Sequence, residues 1–216
     1  MKVLSVNVGL PREVMWQGKR VTTGIFKEPV KGRVMIRTLN LDGDQQADLT
    51  VHGGVSKAVY AYPSEHYDYW QSELPGMDLP WGMFGENFTT DGLLENAVYI
   101  GDRFRIGETE ITVTEPRMPC YKLGIKFGRG DIIKRFLASG RTGFYFAVMR
   151  QGIVGAGDAV ELIGREQQEI SVADVTRLYS VDRSDVKSLR RAIQVEALPE
   201  SWKGYFEHQL EKQAGE

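Results

Sequence analysis

The feature that most constrains the fold is a series of short, alternating apolar and polar runs separated by glycine, spread over residues 1–165. Lys2–Val8 (KVLSVNV) and Arg33–Leu39 (RVMIRTL) place alternate side chains on opposite faces, the period of a half-buried strand. Ala58–Tyr62, Ala97–Ile100, Glu110–Thr114, Phe144–Met149 and Ala159–Ile163 are further short strand candidates. The chain's 24 glycines concentrate in this part, which suits tight turns, bulges and a β-barrel. IGDRFRIGE (Ile100–Glu108) and AGDAVELIG (Ala156–Gly164) echo each other. Each sets Gly-Asp before a short apolar strand, as a hairpin entering one kind of sheet does.

Helical spacing interrupts the strands twice. Pro63–Leu74 sets a proline at a first turn and puts Tyr67, Trp70 and Leu74 on one face. Asp131–Ala138 carries Ile132, Ile133, Phe136 and Leu137 as an apolar stripe. Beyond Gln167 the pattern becomes helical throughout. Ser171 and Asp174 resemble a capping box with aspartate in place of glutamate, and Val172, Val175, Leu178 and Tyr179 follow as a stripe. A second helix is expected after Asp182 or Ser184, with Val186, Leu189 and Ile193 inward. A third opens at Pro199 and carries Trp202, Tyr205, Phe206 and Leu210. Three helices this short bury little core alone, so they are expected to pack on the barrel or on a second subunit. The expected organisation is a domain over residues 1–165 and a three-helix module over 168–216.

Composition narrows the function classes. With 42% hydrophobic and 26% charged residues the chain has a globular balance rather than a disordered one. A net charge of -2 offers no global footprint for nucleic acid or an anionic membrane, although a local basic groove stays open. The amino-terminal apolar run is too short for a signal peptide, and no run of 18 apolar residues spans a membrane. A cytoplasmic setting is expected. One cysteine excludes an intrachain disulfide framework and a self-contained cysteine metal cluster.

That cysteine, Cys120, lies in TEPRMPCYKLGIKFG, with Pro116 and Pro119 before it and Arg117 and Lys122 on either side. A lone cysteine is commonly a small buried hydrophobe. Here two cations favour thiolate if they point toward the sulfur, and a thiolate on a stiff loop suits a redox metal better than magnesium or calcium. A Cys–His nucleophile competes, but His52, His66 and His208 are its only partners and none sits in a protease motif. In ADLTVHGGVSKAVYAY, paired glycines before Lys57 either let backbone amides and a cation approach an anion or form a bulge entering a strand. No Walker loop is present. His52 reads as a turn histidine before a ligand, and His66 as a solvated helix face. In GMFGENFTTDG, Gly85 permits a tight turn and Glu86 and Asn87 supply polar atoms, either to a heterocycle or to a capped turn. Arg141 holds a phosphate or pairs with a surface carboxylate.

VHGGVSKAVYAY, FGENFTTDGL, IGDRFRIG and EPRMPCYKL, in that order, resemble the MOSC domain of relatives of the molybdenum-cofactor sulfurase C-terminal region. GRTGFYFAVMRQGIVGAGD and the helical tail resemble its bacterial YiiM-type subgroup. The resemblance implies a mainly β, MOSC-type barrel with a few short helices, plus a small three-helix module, holding molybdenum on a pterin dithiolene. It implies Cys120 as the metal's protein ligand and Asn87 as a catalytic neighbour. Lys57, Arg117 and Arg141 become anchors for the cofactor's phosphate or dithiolene surroundings. Glu86 stands where the amidoxime-reducing relatives carry proline. The activity implied is reductive removal of oxygen from N-hydroxylated bases such as 6-hydroxylaminopurine, as detoxification. Electrons are expected from an external flavin reductase or ferredoxin-type partner. A homodimer is compatible with this reading; nucleic acid, membrane and pyridoxal phosphate are not expected. Two alternatives keep the fold and drop the turnover: a carrier of the cofactor or of a Cys120 persulfide, and a binding module acting through its tail.

Overall fold

The computed structural model describes residues 1–48 and 53–214. His52 lies outside them. Strands β1 (Lys2–Val8), β2 (Arg12–Trp16), β3 (Lys19–Thr23), β4 (Glu28–Pro29) and β5 (Arg33–Ile36) lead to a single 3-10 turn at Val55–Lys57. Then come β6 (Val59–Pro63), α1 (Glu65–Glu73), β7 (Phe88–Asp91), β8 (Arg103–Ile106) and β9 (Thr109–Pro116). Helices α2 (Tyr121–Phe127) and α3 (Ile132–Ser139) precede β10 (Phe144–Arg150), β11 (Gly152–Gly155) and β12 (Val160–Gly164). The tail is α4 (Val172–Ser180), α5 (Val186–Ala192) and α6 (Glu200–Ala214).

The expected barrel is not what forms. Eight strands make one open sheet in the order β12-β8-β9-β10-β6-β7-β1-β4, and two separate two-stranded sheets pair β2 with β3 and β5 with β11. The end strands β12 and β4 share no ladder among the described residues. Strand β1 meets the start of β12 through an isolated bridge between Lys2 and Ala159 and through local backbone bonds, Val3 amide to Asp158 carbonyl at 2.9 Å and Val160 amide to Met1 carbonyl at 3.0 Å, without a ladder along the strands. The glycines taken as a sign of closure serve other ends. Gly128 and Gly140 adopt left-handed geometry to stop α2 and α3. Four strands are drawn off into the two small sheets, and β6 runs parallel to β7, a pairing that needs a crossover and has α1 within it.

Local differences have local causes. Ala97–Ile100 is a turn with a bridge from Tyr99 to Ser171, not a strand. The strand expected through Leu39 stops at Ile36, where the chain folds back so that the Arg37 amide donates to the Asn40 carbonyl at 2.8 Å. Pro63 ends β6 instead of opening α1. The two echoing segments are direct antiparallel neighbours, with Phe104 opposite Leu162.

Two apolar cores result. The larger joins inward residues of the sheet, such as Val3, Phe88, Ile111 and Phe146, to Val175, Leu178, Leu189, Trp202 and Phe206 of the tail. The tail therefore packs on its own chain's sheet. Ser171 caps α4 as its sequence suggested: its hydroxyl accepts from the Asp174 amide at 3.0 Å, and Asp174 accepts from the Ser171 amide at 3.2 Å. The second core is aromatic and gathers Tyr62, Trp70, Phe84, Phe127 and Phe136. Tyr62 stacks on Phe84 at 4.3 Å, and the Trp70 indole donates to the Tyr62 hydroxyl at 2.7 Å. Each such side chain contributes about 1.5–3 kcal/mol by burial, and the cluster makes a stiff floor for the site above it.

Candidate functional site

A cleft enclosing about 590 Å³, open mouth included, lies where the chain after β3, the 3-10 turn, β6, β10 and the start of α2 converge. Its walls approach so closely that side chains are excluded at two points. A Cβ on Gly24 would sit 2.3 Å from the Gln45 carbonyl oxygen, and one on Gly85 2.8 Å from Ile25 Cγ1. Gly85 also has φ +81°, which L side chains rarely adopt.

Cys120 stands at the wall as the residue that caps α2, half-buried, in extended backbone. The helix after it was not expected, because YKLGIKF is short and carries an internal glycine. The Leu123 amide donates to the Cys120 carbonyl at 2.9 Å, and the turn so formed brings buried Lys122 to the same cleft. Arg117, Lys57 and Lys27 complete a set of four cations, and no carboxylate or histidine is among the described residues of the lining.

Arg117 is the most telling of the four. It is only 6% exposed, and its Nη1 has no hydrogen-bond partner among the described residues. Its guanidinium lies 5.2 Å from the ring centres of both Tyr60 and Phe136. Burial works against its charge, but facing Tyr60, Tyr145 and Cys120 raise its pKa on balance, so it is a permanent cation. A buried donor without an acceptor costs about 1–3 kcal/mol, the mark of a group kept for a ligand.

Lys27 and Asn87 belong to one buried network. Burial lowers the Lys27 pKa, and Asp44, which accepts from its ammonium, opposes that. Asp44 also accepts from the Gly9 amide and from Asn87 Nδ2, each at 2.9 Å. Asn87 Oδ1 accepts from the Tyr60 amide at 3.1 Å, while Nδ2 reaches the Asn7 carbonyl at 3.3 Å. Asn87 thus lines the cleft, yet its amide spans and braces two walls. Neighbouring Glu86 is fully buried outside the lining. Its carboxylate accepts from Tyr67 at 2.5 Å, the Gly82 and Phe84 amides at 2.8 and 3.1 Å, and Thr89 at 2.9 Å. Burial pushes its pKa up, and it organises the turn that presents Gly85 and Asn87.

The structure separates the remaining candidates from this cleft. Among the described residues Arg141 has no carboxylate partner and no place in the lining: its guanidinium lies 3.9 Å above the Tyr69 ring, and Nη1 donates to the Ser139 carbonyl at 3.2 Å. His66 is not solvated but buried, 2.7 Å from Glu95. His208 is on exposed α6 surface, 3.6 Å from Glu211. Lys122, read from the sequence as a cation beside Cys120, does share its cleft, whereas sequence reading passed over Lys27, Tyr60 and Tyr145. The two tyrosines lie inside recognised stretches, but no local signal marked Lys27. No group of three or more His, Cys, Asp or Glu residues able to hold a metal occurs among the described residues.

Residues 48–161 match the family model of the MOSC domain, and 170–213 that of the YiiM-like 3-alpha helix domain. The chain belongs to the MOSC domain family. Its YiiM-like character extends through the helical tail. Among its relatives, the uncharacterized protein YflK of Bacillus subtilis is 43% identical, covering 94% of this chain and 92% of that protein. Protein YiiM of Escherichia coli is 38% identical, covering 83% and 81%. The crystal structure of YiiM from Geobacillus stearothermophilus superposes with a TM-score of 0.81 at 32% identity, over 97% of this chain and 98% of that one. Within the MOSC family match lie Lys57, Asn87, Arg117, Cys120 and Lys122; Lys27 and Asp44 precede it.

Proposed function

We propose that this MOSC chain is a molybdenum-cofactor-dependent reductase acting on N-hydroxylated bases such as 6-hydroxylaminopurine. One observation carries the reading: the only thiol of the chain borders a cleft of four cations, one of which, Arg117, ends in a buried N–H with no partner among the described residues. These residues fit an anionic group that brings most of its metal's ligands with it, as a pterin dithiolene does. A protein-built metal cluster would require more ligand side chains than the described residues offer. A reductase of Gibberella moniliformis, 32% identical over 82% of this chain, supports redox chemistry; the match spans 32% of that longer protein.

In this reading the Cys120 sulfur ligates the metal, and Lys27, Lys57, Arg117 and Lys122 neutralise the cofactor's phosphate and sulfur-rich end. When bound, the cofactor supplies the two-electron chemistry of removing oxygen from nitrogen. The overall change, R–NHOH + 2e⁻ + 2H⁺ → R–NH₂ + H₂O, requires an electron donor, for which a flavin reductase or ferredoxin-type protein is our choice. The protein's own contribution is orientation and charge. Tyr145 lines the cleft with its phenol protonated, because burial pushes its pKa up to about 12 although Arg117 pulls it down. The wall therefore offers a neutral hydrogen-bond donor beside the permanent cation of Arg117.

The test is metal content by mass spectrometry on wild type and Cys120→Ala, both made in a cofactor-competent host and purified without oxygen. Near-stoichiometric molybdenum in wild type, lost in the variant together with reduction of 6-hydroxylaminopurine, is the expected result. Molybdenum without turnover, given a competent donor, makes the chain a carrier. A molybdenum-free wild type from a host that loads a control enzyme refutes the reading.

A further inference from the structure

The helical tail reaches the cleft through one chain of polar contacts. Trp202, on α6, is 7% exposed and packs edge-on against Tyr179 at 5.5 Å. A buried indole N–H needs an acceptor, and this one donates at 2.8 Å to Glu115 Oε2 on β9. Glu115 is itself buried at 5% exposure, an unusual place for a carboxylate. The same Oε2 lies 3.9 Å from the ammonium of Lys57, one of the four cations of the cleft. Burial raises the Glu115 pKa, while Lys57, Trp202 and the Ser56 hydroxyl lower it. Glu115 itself is outside the cleft lining, so its charge acts on the cleft through Lys57.

We infer that Trp202 and Glu115 are positioning residues for Lys57, which makes the tail part of the anion-binding site and not only a cover for the sheet. Glu115 holds the ammonium at the wall. Trp202 holds the same carboxylate oxygen by its N–H and opposes the upward pull of burial on the Glu115 pKa. A phenylalanine at 202 would serve the apolar packing, but would leave Glu115 without its donor from the tail. The anion concerned is that of the proposed function, and on this point the inference rests on that reading; the positioning of Lys57 does not.

The first measurement uses the cofactor-free protein without any ligand. Acylation of Lys57 by an amine-reactive anhydride is followed by peptide mass spectrometry, with exposed Lys31 as internal reference. Trp202→Phe and Glu115→Gln are each expected to speed Lys57 acylation about threefold relative to Lys31, as loss of a partly exposed ion pair should. Glu115→Gln leaves the tail untouched, so it reads the tether even if Trp202→Phe loosens packing. The second measurement is binding of inorganic phosphate by calorimetry. Trp202→Phe should weaken it about fivefold in the wild-type background and add nothing in a Lys57→Met background, the signature of a shared path. Unchanged acylation in both variants, or an equal Trp202→Phe penalty with and without Lys57, overturns the inference. Accelerated acylation in a protein that binds no phosphate upholds the positioning of Lys57 and counts against the proposed anionic occupant.

Discussion

At the residue scale, Cys120 and Arg117 have opposite origins but one meaning. Cys120 was conspicuous as the only thiol, in a stretch bounded by proline and cations; Arg117 was noted as one of those cations and gained weight from its buried Nη1, which lacks an acceptor among the described residues. A buried N–H without an acceptor costs stability and offsets what Arg117 gains from its Tyr145 hydrogen bond and its two ring contacts, so Arg117→Met is expected to change the melting temperature little. The same variant should lower molybdenum content and phosphate affinity. Thermal melts beside metal analysis check both halves, and a strongly destabilised Arg117→Met protein would argue for a structural role instead. Asn87 teaches the reverse. The family resemblance implied a cofactor neighbour, and Asn87 does line the cleft, but its amide also spans Asp44, Asn7 and Tyr60. Nothing in GENF predicts that, since all three partners come from other parts of the chain.

At the element scale, the tail helices were legible because their signals are local. A capping box, a stripe at spacing 3–4 and a proline before a helix need no tertiary partner to be recognised. Helix α5 adds a second cap, Asp185, which accepts from the Ser188 amide at 3.0 Å and from Arg177 at 2.9 Å. These bonds, the Ser188 amide foremost, hold its pKa at about 2, below the ordinary 3.8. A depressed carboxylate stabilises the fold above its unfolded value and loses that contribution as pH falls through the folded one. The stability advantage of wild type over Asp185→Asn should therefore shrink between about pH 4 and pH 2 in thermal melts. Helix α2, by contrast, was invisible: Gly124 weakens its intrinsic propensity, and burial of Leu123, Ile125 and Phe127 compensates.

At the scale of the whole molecule, one apolar core runs from the sheet into the tail. Removing residues 168–216 would bare the sheet residues that Val175, Leu178, Leu189 and Phe206 cover. Such a truncation is expected to aggregate, with the loss read as soluble yield and light scattering; a monomeric, cooperatively melting product would show that the sheet needs no cover. The tail's apolar faces pack into this core, and among the described residues no helix is long and apolar enough to cross a membrane.

By itself the sequence determined most strand positions, the three tail helices, the isolated thiol and the ordered motifs of the MOSC family, because each depends on spacing or residue identity within a short window. Only the tertiary structure decided that the sheet stays open, since closure depends on which strands meet at its edges and not on how many glycines separate them. It also decided which cations share the cleft with Cys120. Arg117 and Lys122 flank the thiol in sequence, but Lys27 and Lys57 come from distant parts of the chain, and only the fold lines one cleft with all four.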